Sequence, residues 1–286
     1  MTDQHVREVL ISAAELAKAL ESGAPPVLLD VRWVAGVVDR EGYLAGHVPG
    51  AVFVDLDADL AGPPGVGGRH PLPRPADLQK VWRAAGIVDD SSVVVYDPKD
   101  SSVAARAWWL LRWSGLSSVR VLDGGLAAWV AGGHPVETGP GASPRPGSIT
   151  VIAGSMPTID ADRAREMTLS GGTLLDARAA ARYRGEIEPL DPIAGHIPGA
   201  VNLPLTELLK PDGTFREPAG IEAVFERTIG PDDDGEVAAS CGSGVTGCHL
   251  ILAGAMIGRP LALYPGSYSE WLALGRPVAV GGPPSP

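Results

Sequence analysis

The chain carries one set of short motifs twice, and this internal repeat limits the possible fold more than any other feature. The paired motifs are VLLDVR at 27–32 and TLLDAR at 173–178, AGHVPGAV at 45–52 and AGHIPGAV at 194–201, and DGGLAAW at 123–129 and PGSYSEW at 265–271. The copies lie 146, 149 and 142 residues apart, so only loop-sized insertions distinguish them. Such a period is far longer than the repeating unit of a solenoid. We therefore expect two copies of one domain.

The length and one central segment agree with this expectation. A chain of 286 residues is long for a single hydrophobic core. The segment PGASPRPGS at 140–148 has no hydrophobic periodicity and is rich in proline and glycine, as exposed linkers are. We predict an N-terminal domain over 1–139, a linker over 140–154 and a C-terminal domain over 155–286.

Within each copy, short apolar runs alternate with helical patterns. Strands are predicted at 93–96, 119–122, 236–239 and 261–264, and helices at 76–85, 104–113 and 248–257. Because the strands are continuous apolar runs, they indicate a parallel sheet that is covered on both faces. The predicted fold class is therefore α/β, with each domain an open, mainly parallel sheet with helices on both faces.

The composition argues against several classes of partner. The chain has 23 basic and 34 acidic residues, whereas nucleic-acid binding requires clustered positive charge. Residues 1–8 are polar, whereas the core of a signal peptide is apolar. The apolar run around 250–257 is shorter than the roughly 20 residues that span a bilayer. Two cysteines make no disulfide framework and no four-ligand metal site. We expect a cytoplasmic protein that binds no nucleic acid, membrane or metal.

The two copies differ at one informative position. At the end of a predicted strand, where open α/β sheets bind ligands, alignment places Asp97 in one copy beside Cys241 in the other. Cys241 opens the glycine-rich segment CGSGVTG at 241–247, which leads into a helix. Glycines let such a loop close tightly, and its N–H groups and the helix dipole attract negative charge. We interpret the loop as an anion cradle with Cys241 as a nucleophilic thiolate, and Cys248 as a buried small residue.

The CGSGVTGC loop, the two GH(V/I)PGAV turns and the two-copy layout resemble the tandem-domain rhodanese family. Within that family, the loop is most similar to the CGSGVTA pattern of 3-mercaptopyruvate sulfurtransferases. The resemblance covers nearly the whole chain and implies two rhodanese-like domains, of which the N-terminal one is inactive. It implies that Cys241 takes sulfur from a small anionic donor as a persulfide. The acceptor would be cyanide or a thiol, such as thioredoxin or a small thiol, and no cofactor is implied.

The resemblance also implies the roles of individual residues. A relay of serine, histidine and aspartate is proposed for mercaptopyruvate enzymes, and Ser243, His70 and Asp57 match its positions. The N–H groups expected to cradle the outer sulfur belong to the loop residues Gly242, Ser243, Gly244, Val245 and Thr246. The recurring His47 and His196 are interpreted as structural turn residues, because both copies contain them.

Donor binding is where this chain departs from the pattern. The segment ARYRG at 181–185 resembles a family stretch whose first arginine binds the donor, so Arg182 is the first candidate and Arg184 the second. The family carries a further arginine in an E-P-R segment, but this chain has Leu190 at that place. Either Arg184 replaces the missing cation or the donor is different.

The preferred interpretation is a sulfurtransferase that favours 3-mercaptopyruvate, because the loop lacks the basic residues that suit thiosulfate. One alternative is a thiosulfate:cyanide sulfurtransferase, and another is a non-catalytic rhodanese-like module that binds or senses a ligand. A redox pair of Cys241 and Cys248 is disfavoured, since the loop would have to unwind to join the sulfurs. Phosphatases of a related fold need an arginine six positions after the cysteine, where this chain has Gly247.

Overall fold

The computed structural model of the chain describes residues 2–33, 37–141, 143–230 and 235–282. They form two compact units, each built from three segments of the chain. Unit 1 comprises Met1–Gly62, Leu72–Met156 and Leu209–Phe215, and unit 2 comprises Pro63–Pro71, Pro157–Leu208 and Arg216–Pro286. Position 142 of the predicted linker lies outside the described residues, and the predicted domain boundaries stay a prediction.

Unit 1 contains five strands among its described residues. They are β1 (Leu10–Ile11), β2 (Val27–Arg32), β3 (Val52–Asp55), β4 (Val93–Tyr96) and β5 (Val119–Leu122), and the helices are α1 (Thr2–Val9), α2 (Ala13–Leu20), α3 (Arg40–Ala45), α4 (Leu56–Asp59), α5 (Pro75–Ala84), α6 (Ala104–Trp113) and α7 (Gly125–Ala131). The strands pair in the order β1-β5-β4-β2-β3, and every pair is parallel. All four residues of β4 are buried, as its unbroken apolar run predicts.

Unit 2 repeats this architecture. Its strands are β6 (Thr173–Asp176), β7 (Val201–Asn202), β8 (Val237–Ser240) and β9 (Ala262–Leu263), and its helices are α8 (Ala161–Ser170), α9 (Ala180–Tyr183), α10 (Pro218–Ile229), α11 (Gly247–Met256) and α12 (Ser267–Ala273), with a 3₁₀ turn at Leu205–Leu208. The order is β7-β6-β8-β9, again parallel, and a parallel bridge from Thr158 to Leu263 occupies the place that β1 has in unit 1. The predicted parallel α/β fold is confirmed.

The motifs of the internal repeat make the same contacts in both units. In unit 1, Arg32 forms a buried ion pair with Asp30 and donates to the Gly46 carbonyl at 2.8 Å. In unit 2, Arg178 pairs with Asp176 and donates to the Gly195 carbonyl, also at 2.8 Å. The pair in each copy therefore ties the end of a central strand to the turn before the next strand, which explains why LLDxR and AGH recur together.

The histidines of the repeated turns have structural roles. His47 Nδ1 lies 2.9 Å from the Tyr43 carbonyl, and His196 Nδ1 lies 2.7 Å from the Tyr183 carbonyl. Each imidazole also stacks on the ring of the same tyrosine. Burial lowers the pKa of His196, although the Tyr183 carbonyl opposes this effect. These contacts support the interpretation of His47 and His196 as turn residues.

The sequence located the central elements well and their ends less well. The strands predicted at 93–96 and 119–122 and the helix predicted at 104–113 match β4, β5 and α6, and the other predicted helices begin and end one residue early or late. The strand predicted at 261–264 is reduced to the two residues of β9. No helix in the described part of the chain combines the length and apolarity needed to cross a membrane.

Candidate functional site

Cys241 is the first residue after β8, at the carboxyl edge of the unit 2 sheet. Its backbone is held on both sides by the start of α12. The Cys241 N–H donates to Ser267 Oγ at 3.1 Å, and the Cys241 carbonyl accepts from the Tyr268 N–H at 3.1 Å. The residue is 2% exposed. The thiol therefore has a fixed position at the edge where open α/β sheets bind ligands.

The glycine-rich loop curls around the sulfur. The N–H groups of Ser243 and Gly244 reach Cys241 Sγ at 3.4 and 3.1 Å. Gly244 has a φ of +77°, and a Cβ there would collide with the Pro265 carbonyl oxygen, so only glycine fits. Two donated N–H groups stabilise negative charge on the sulfur.

Three other loop residues were expected to cradle the sulfur. Gly242, Val245 and Thr246 lie in the same turn, but among the described residues their N–H groups make no hydrogen bond to Sγ. Thr246 is the N-cap of α11, and its side chain makes no capping bond. The first N–H groups of this buried helix thus lack the usual side-chain cap.

In unit 1, the corresponding loop is filled by a side chain of the chain itself. Asp97, the first residue after β4, accepts hydrogen bonds from four backbone N–H groups, those of Lys99, Ser101, Val103 and Ala104, at 3.0 to 3.1 Å. Two of these groups begin α6, so the carboxylate caps that helix. In unit 1, the loop therefore surrounds a carboxylate of the chain itself, that of Asp97.

Burial raises the pKa of Asp97 to about 6, and the charge of Asp100 adds to this effect. The N–H groups that the carboxylate accepts from oppose the rise. The carboxyl group therefore titrates close to the physiological range.

Two of the predicted relay residues meet in unit 2. His70 Nδ1 lies 2.7 Å from Ser243 Oγ, and both residues are 6% exposed. Segment Pro63–Pro71 brings His70 into the unit. Asp57 lies in unit 1, in the first turn of α4, where its N–H donates to Asp55 Oδ1 at 2.9 Å. Its part in the relay stays a prediction.

The first candidate for donor binding lies beside the loop. A Cβ built on Gly242 would lie 3.6 Å from Arg182 Nη2. Arg182 pairs with Glu188 at 2.7 Å and with Asp191 at 3.1 Å. Burial would raise the pKa of Glu188, but the hydrogen bond from Arg182 and the N–H groups of Leu190 and Asp191 hold it below its ordinary value. The carboxylate that positions Arg182 is thus ionised at neutral pH.

The second candidate makes a different contact. Arg184 pairs with Glu186, at 2.6 Å between Nε and Oε1, and both side chains are well exposed. Among the described residues, its side chain makes no hydrogen bond or ion pair with the loop. The geometry thus supports Arg182 more than Arg184 as a ligand of the donor.

Sequence reasoning missed another cation, Arg69. Its Nη1 lies 2.6 Å from Asp191 Oδ1, and its N–H donates to Ser269 Oγ at 3.0 Å. A Cβ on Gly242 would lie 3.1 Å from Arg69 Nη2, closer than to Arg182. The one signal available was its place directly before His70, a residue already assigned to the site.

Cys248 contacts the loop from the helix. Its side chain is fully buried on α11, and its S–H donates to the Gly244 carbonyl at 3.4 Å. This is the environment of a packing residue rather than of a second nucleophile.

Comparisons with known proteins all identify rhodanese-like proteins as similar to this chain. The family model described as "Rhodanese-like domain" matches residues 12–132 and again residues 160–274. A Mycobacterium tuberculosis protein named "Putative thiosulfate sulfurtransferase SseB" is 46% identical over 282 residues, 96% of this chain and 98% of that protein. A Pseudomonas aeruginosa protein named "Probable 3-mercaptopyruvate sulfurtransferase" is 46% identical over 245 residues, 84% of this chain and 86% of that protein. The crystal structure of SseA from Escherichia coli, described as a 3-mercaptopyruvate sulfotransferase with the rhodanese fold, matches at a TM-score of 0.79 and 33% identity, covering 91% of this chain and 98% of that one.

Proposed function

Because this chain is a sulfurtransferase of the rhodanese family, we propose that it moves sulfur through a persulfide on Cys241. The donor is a small anion, 3-mercaptopyruvate by preference, and the acceptor is cyanide or a thiol such as thioredoxin or a small thiol. The observation that carries this proposal is the pair of N–H groups directed at Cys241 Sγ beside the contact between His70 and Ser243.

The first half-reaction needs a thiolate and a place for its charge. Cys241 Sγ attacks the sulfur of 3-mercaptopyruvate, an S–S bond forms, and the C–S bond of the donor breaks. The electron pair of that bond leaves with the carbon as the enolate of pyruvate. The N–H groups of Ser243 and Gly244 stabilise charge on the thiolate before attack, and on the persulfide afterwards.

Proton transfer completes this step. The donor thiol loses a proton and the enolate carbon gains one, so no outside acid is consumed. The hydroxyl of Ser243 and the imidazole of His70 are suited to carry that proton, because histidine changes its charge near neutral pH. Asp57 is proposed to orient His70, as the family relay implies. In the second half-reaction, the acceptor attacks the outer sulfur and Cys241 leaves as the thiolate.

The preference for 3-mercaptopyruvate rests on the loop. Gly242 and Ser243 carry no charge of their own, whereas a loop built for thiosulfate would place cations there. The relatives bear both donor names, so a direct test is needed. We propose no nucleophile in unit 1, because its own Asp97 fills the loop that corresponds to the Cys241 loop.

Mass spectrometry tests the persulfide. After treatment with either donor and no acceptor, the peptide that contains Cys241 is expected to gain the mass of one sulfur atom. Cys241→Ser should lose both this adduct and turnover, because a serine hydroxyl is a poor nucleophile at neutral pH. Cys248→Ser is the matched control and should keep both. A protein that stays unmodified with every donor would instead support the non-catalytic binding module.

Steady-state rates test the donor. With both donors at one acceptor concentration, 3-mercaptopyruvate is expected to give the higher kcat/KM. A tenfold or greater advantage for thiosulfate would contradict the donor assignment but not sulfur transfer.

A further inference from the structure

We propose that Arg69 is a donor-binding residue, which forms with Arg182 a two-arginine site for the carboxylate of the donor. This inference rests on the proposed sulfur-transfer function and deepens it. It answers the question raised by Leu190, which stands where the family has a further arginine.

Asp191 holds the two guanidinium groups together. Its Oδ1 accepts from Arg69 Nη1 at 2.6 Å, and its Oδ2 accepts from Arg182 Nη2 at 3.1 Å. The Asp191 side chain is only 1% exposed, while Arg69 is 29% and Arg182 is 16% exposed. A buried carboxylate thus fixes two cations whose outer parts still reach solvent, which is the arrangement expected of a site for a dissolved anion.

Both arginines keep donors free for a ligand. Within the described chain, no acceptor meets Nε or Nη2 of Arg69, or Nη1 of Arg182. The free Nη2 of Arg69 is also the atom nearest to a Cβ built on Gly242, at 3.1 Å. This open donor of Arg69 therefore lies over the residue next to the nucleophile, and a side chain at Gly242 would fill that space.

This location suits the carboxylate of 3-mercaptopyruvate. Two carbons separate the transferred sulfur from the carboxylate carbon in that donor, so a molecule with its sulfur at Cys241 extends its carboxylate past a neighbouring residue. Planar guanidinium groups bind carboxylates through paired hydrogen bonds, which a single ammonium group does not reproduce. Arg69 thus supplies the cation that Leu190 lacks, from a distant part of the chain.

The kinetic test uses Arg69→Gln and Arg69→Met in the full-length protein. Loss of one charged hydrogen-bonding contact should raise KM for 3-mercaptopyruvate by about 10- to 100-fold and change kcat much less. Arg227→Gln is the matched control, because Arg227 is exposed on α10 and pairs only with Glu207 among the described residues. A KM within twofold of the wild type in both Arg69 variants would overturn the proposal, while a wild type inactive with every donor would overturn the proposed function instead.

A second test needs no sulfur transfer. Alkylation rates of Cys241 are measured with iodoacetate, which carries a carboxylate, and with neutral iodoacetamide. Arg69→Gln and Arg69→Met should each lower the ratio of the iodoacetate rate to the iodoacetamide rate at least fivefold. Arg227→Gln should leave this ratio unchanged. A purely structural role of Arg69 would slow or speed both reagents together, and an unchanged ratio would contradict the proposal even if KM had risen.

Discussion

Ser243 makes two contacts, one through its backbone and one through its side chain. Its N–H reaches Cys241 Sγ, while its hydroxyl contacts His70 Nδ1 at 2.7 Å. Replacing the side chain therefore removes the second contact and leaves the first, because the N–H belongs to the backbone. A single substitution can thus test proton transfer without disturbing the sulfur cradle.

Ser243→Ala is expected to lower kcat with 3-mercaptopyruvate by about 100-fold, within the range of general acid–base catalysis. Thiosulfate turnover should change little, because thiosulfate has no thiol proton to transfer. Once its outer sulfur has been transferred, the rest of the molecule leaves as sulfite. The matched control is Ser240→Ala. Ser240 directly precedes Cys241, and its buried hydroxyl donates to the Leu175 carbonyl. Equal losses with both donors in Ser243→Ala would show that the hydroxyl has a structural role.

Single residues also show where sequence reasoning reaches its limit. Cys241 was identifiable because glycines after a strand end are a local pattern, and His70 and Ser243 because a family resemblance implied them. Arg69 was missed because it pairs with Asp191, 122 positions away, and no local pattern records such a contact. The position of Asp191 was equally hidden, since an acidic residue in a loop is ordinarily solvated.

The loop around Cys241 depends on one glycine, Gly244. Gly244→Ala is expected to abolish activity and to lower the free energy of unfolding by more than 2 kcal/mol, because a left-handed backbone costs about 1–2 kcal/mol for alanine and a collision with Pro265 adds to that cost. Gly275→Ala is the matched control, since Gly275 has a φ of +66° with nothing within 4 Å of its Cβ position. Urea unfolding of both variants measures the difference. Equal losses would mean that the loop tolerates the added methyl group.

The loop of unit 1 makes stability depend on pH. The pKa of Asp97 is raised from its ordinary 3.8 to about 6, so between these pH values the folded chain binds a proton that the unfolded chain releases. This group therefore stabilises the fold below about pH 4, and the contribution is lost as the pH rises through 6; its size is about 3 kcal/mol.

Asp97→Asn removes this titration. Its destabilisation relative to the wild type should be larger at pH 4 than at pH 7, on top of a constant cost from N–H groups that the amide no longer satisfies. Urea unfolding at both pH values measures it, and Asp90→Asn, which removes an exposed carboxylate, controls for net charge. A difference that is the same at both pH values would contradict the raised pKa.

Taken as a whole, the molecule is a repeat whose two units are not continuous in sequence. The period, the parallel character of the sheets and the strand-end difference between Asp97 and Cys241 were all predictable, because they depend on local patterns that occur twice. The order of the strands was not predicted. The inclusion of Pro63–Pro71 in unit 2 was not, because a short proline- and glycine-rich segment carries no hydrophobic pattern that indicates where it packs.

A fragment of residues 155–286 is therefore expected to lose at least 99% of turnover even when folded, since it lacks both His70 and Arg69. Circular dichroism establishes whether it folds, and donor assays measure its rate. Iodoacetamide should still alkylate Cys241 in the fragment, because the N–H groups of the loop remain. Full activity in the fragment would exclude the 63–71 segment from the mechanism.

The origin of His70 in a distant segment also affects how the protein matures. His70 and Ser243 are 173 positions apart, so at about 5–20 residues per second the ribosome makes the serine about 9 to 35 seconds after the histidine. Contacts of such long range slow folding, because the loop-closure entropy must be overcome before the contact stabilises the chain. A nascent chain shorter than 243 residues therefore lacks the contact between His70 and Ser243, and the proposed relay is completed only after most of the 286 residues have been synthesised.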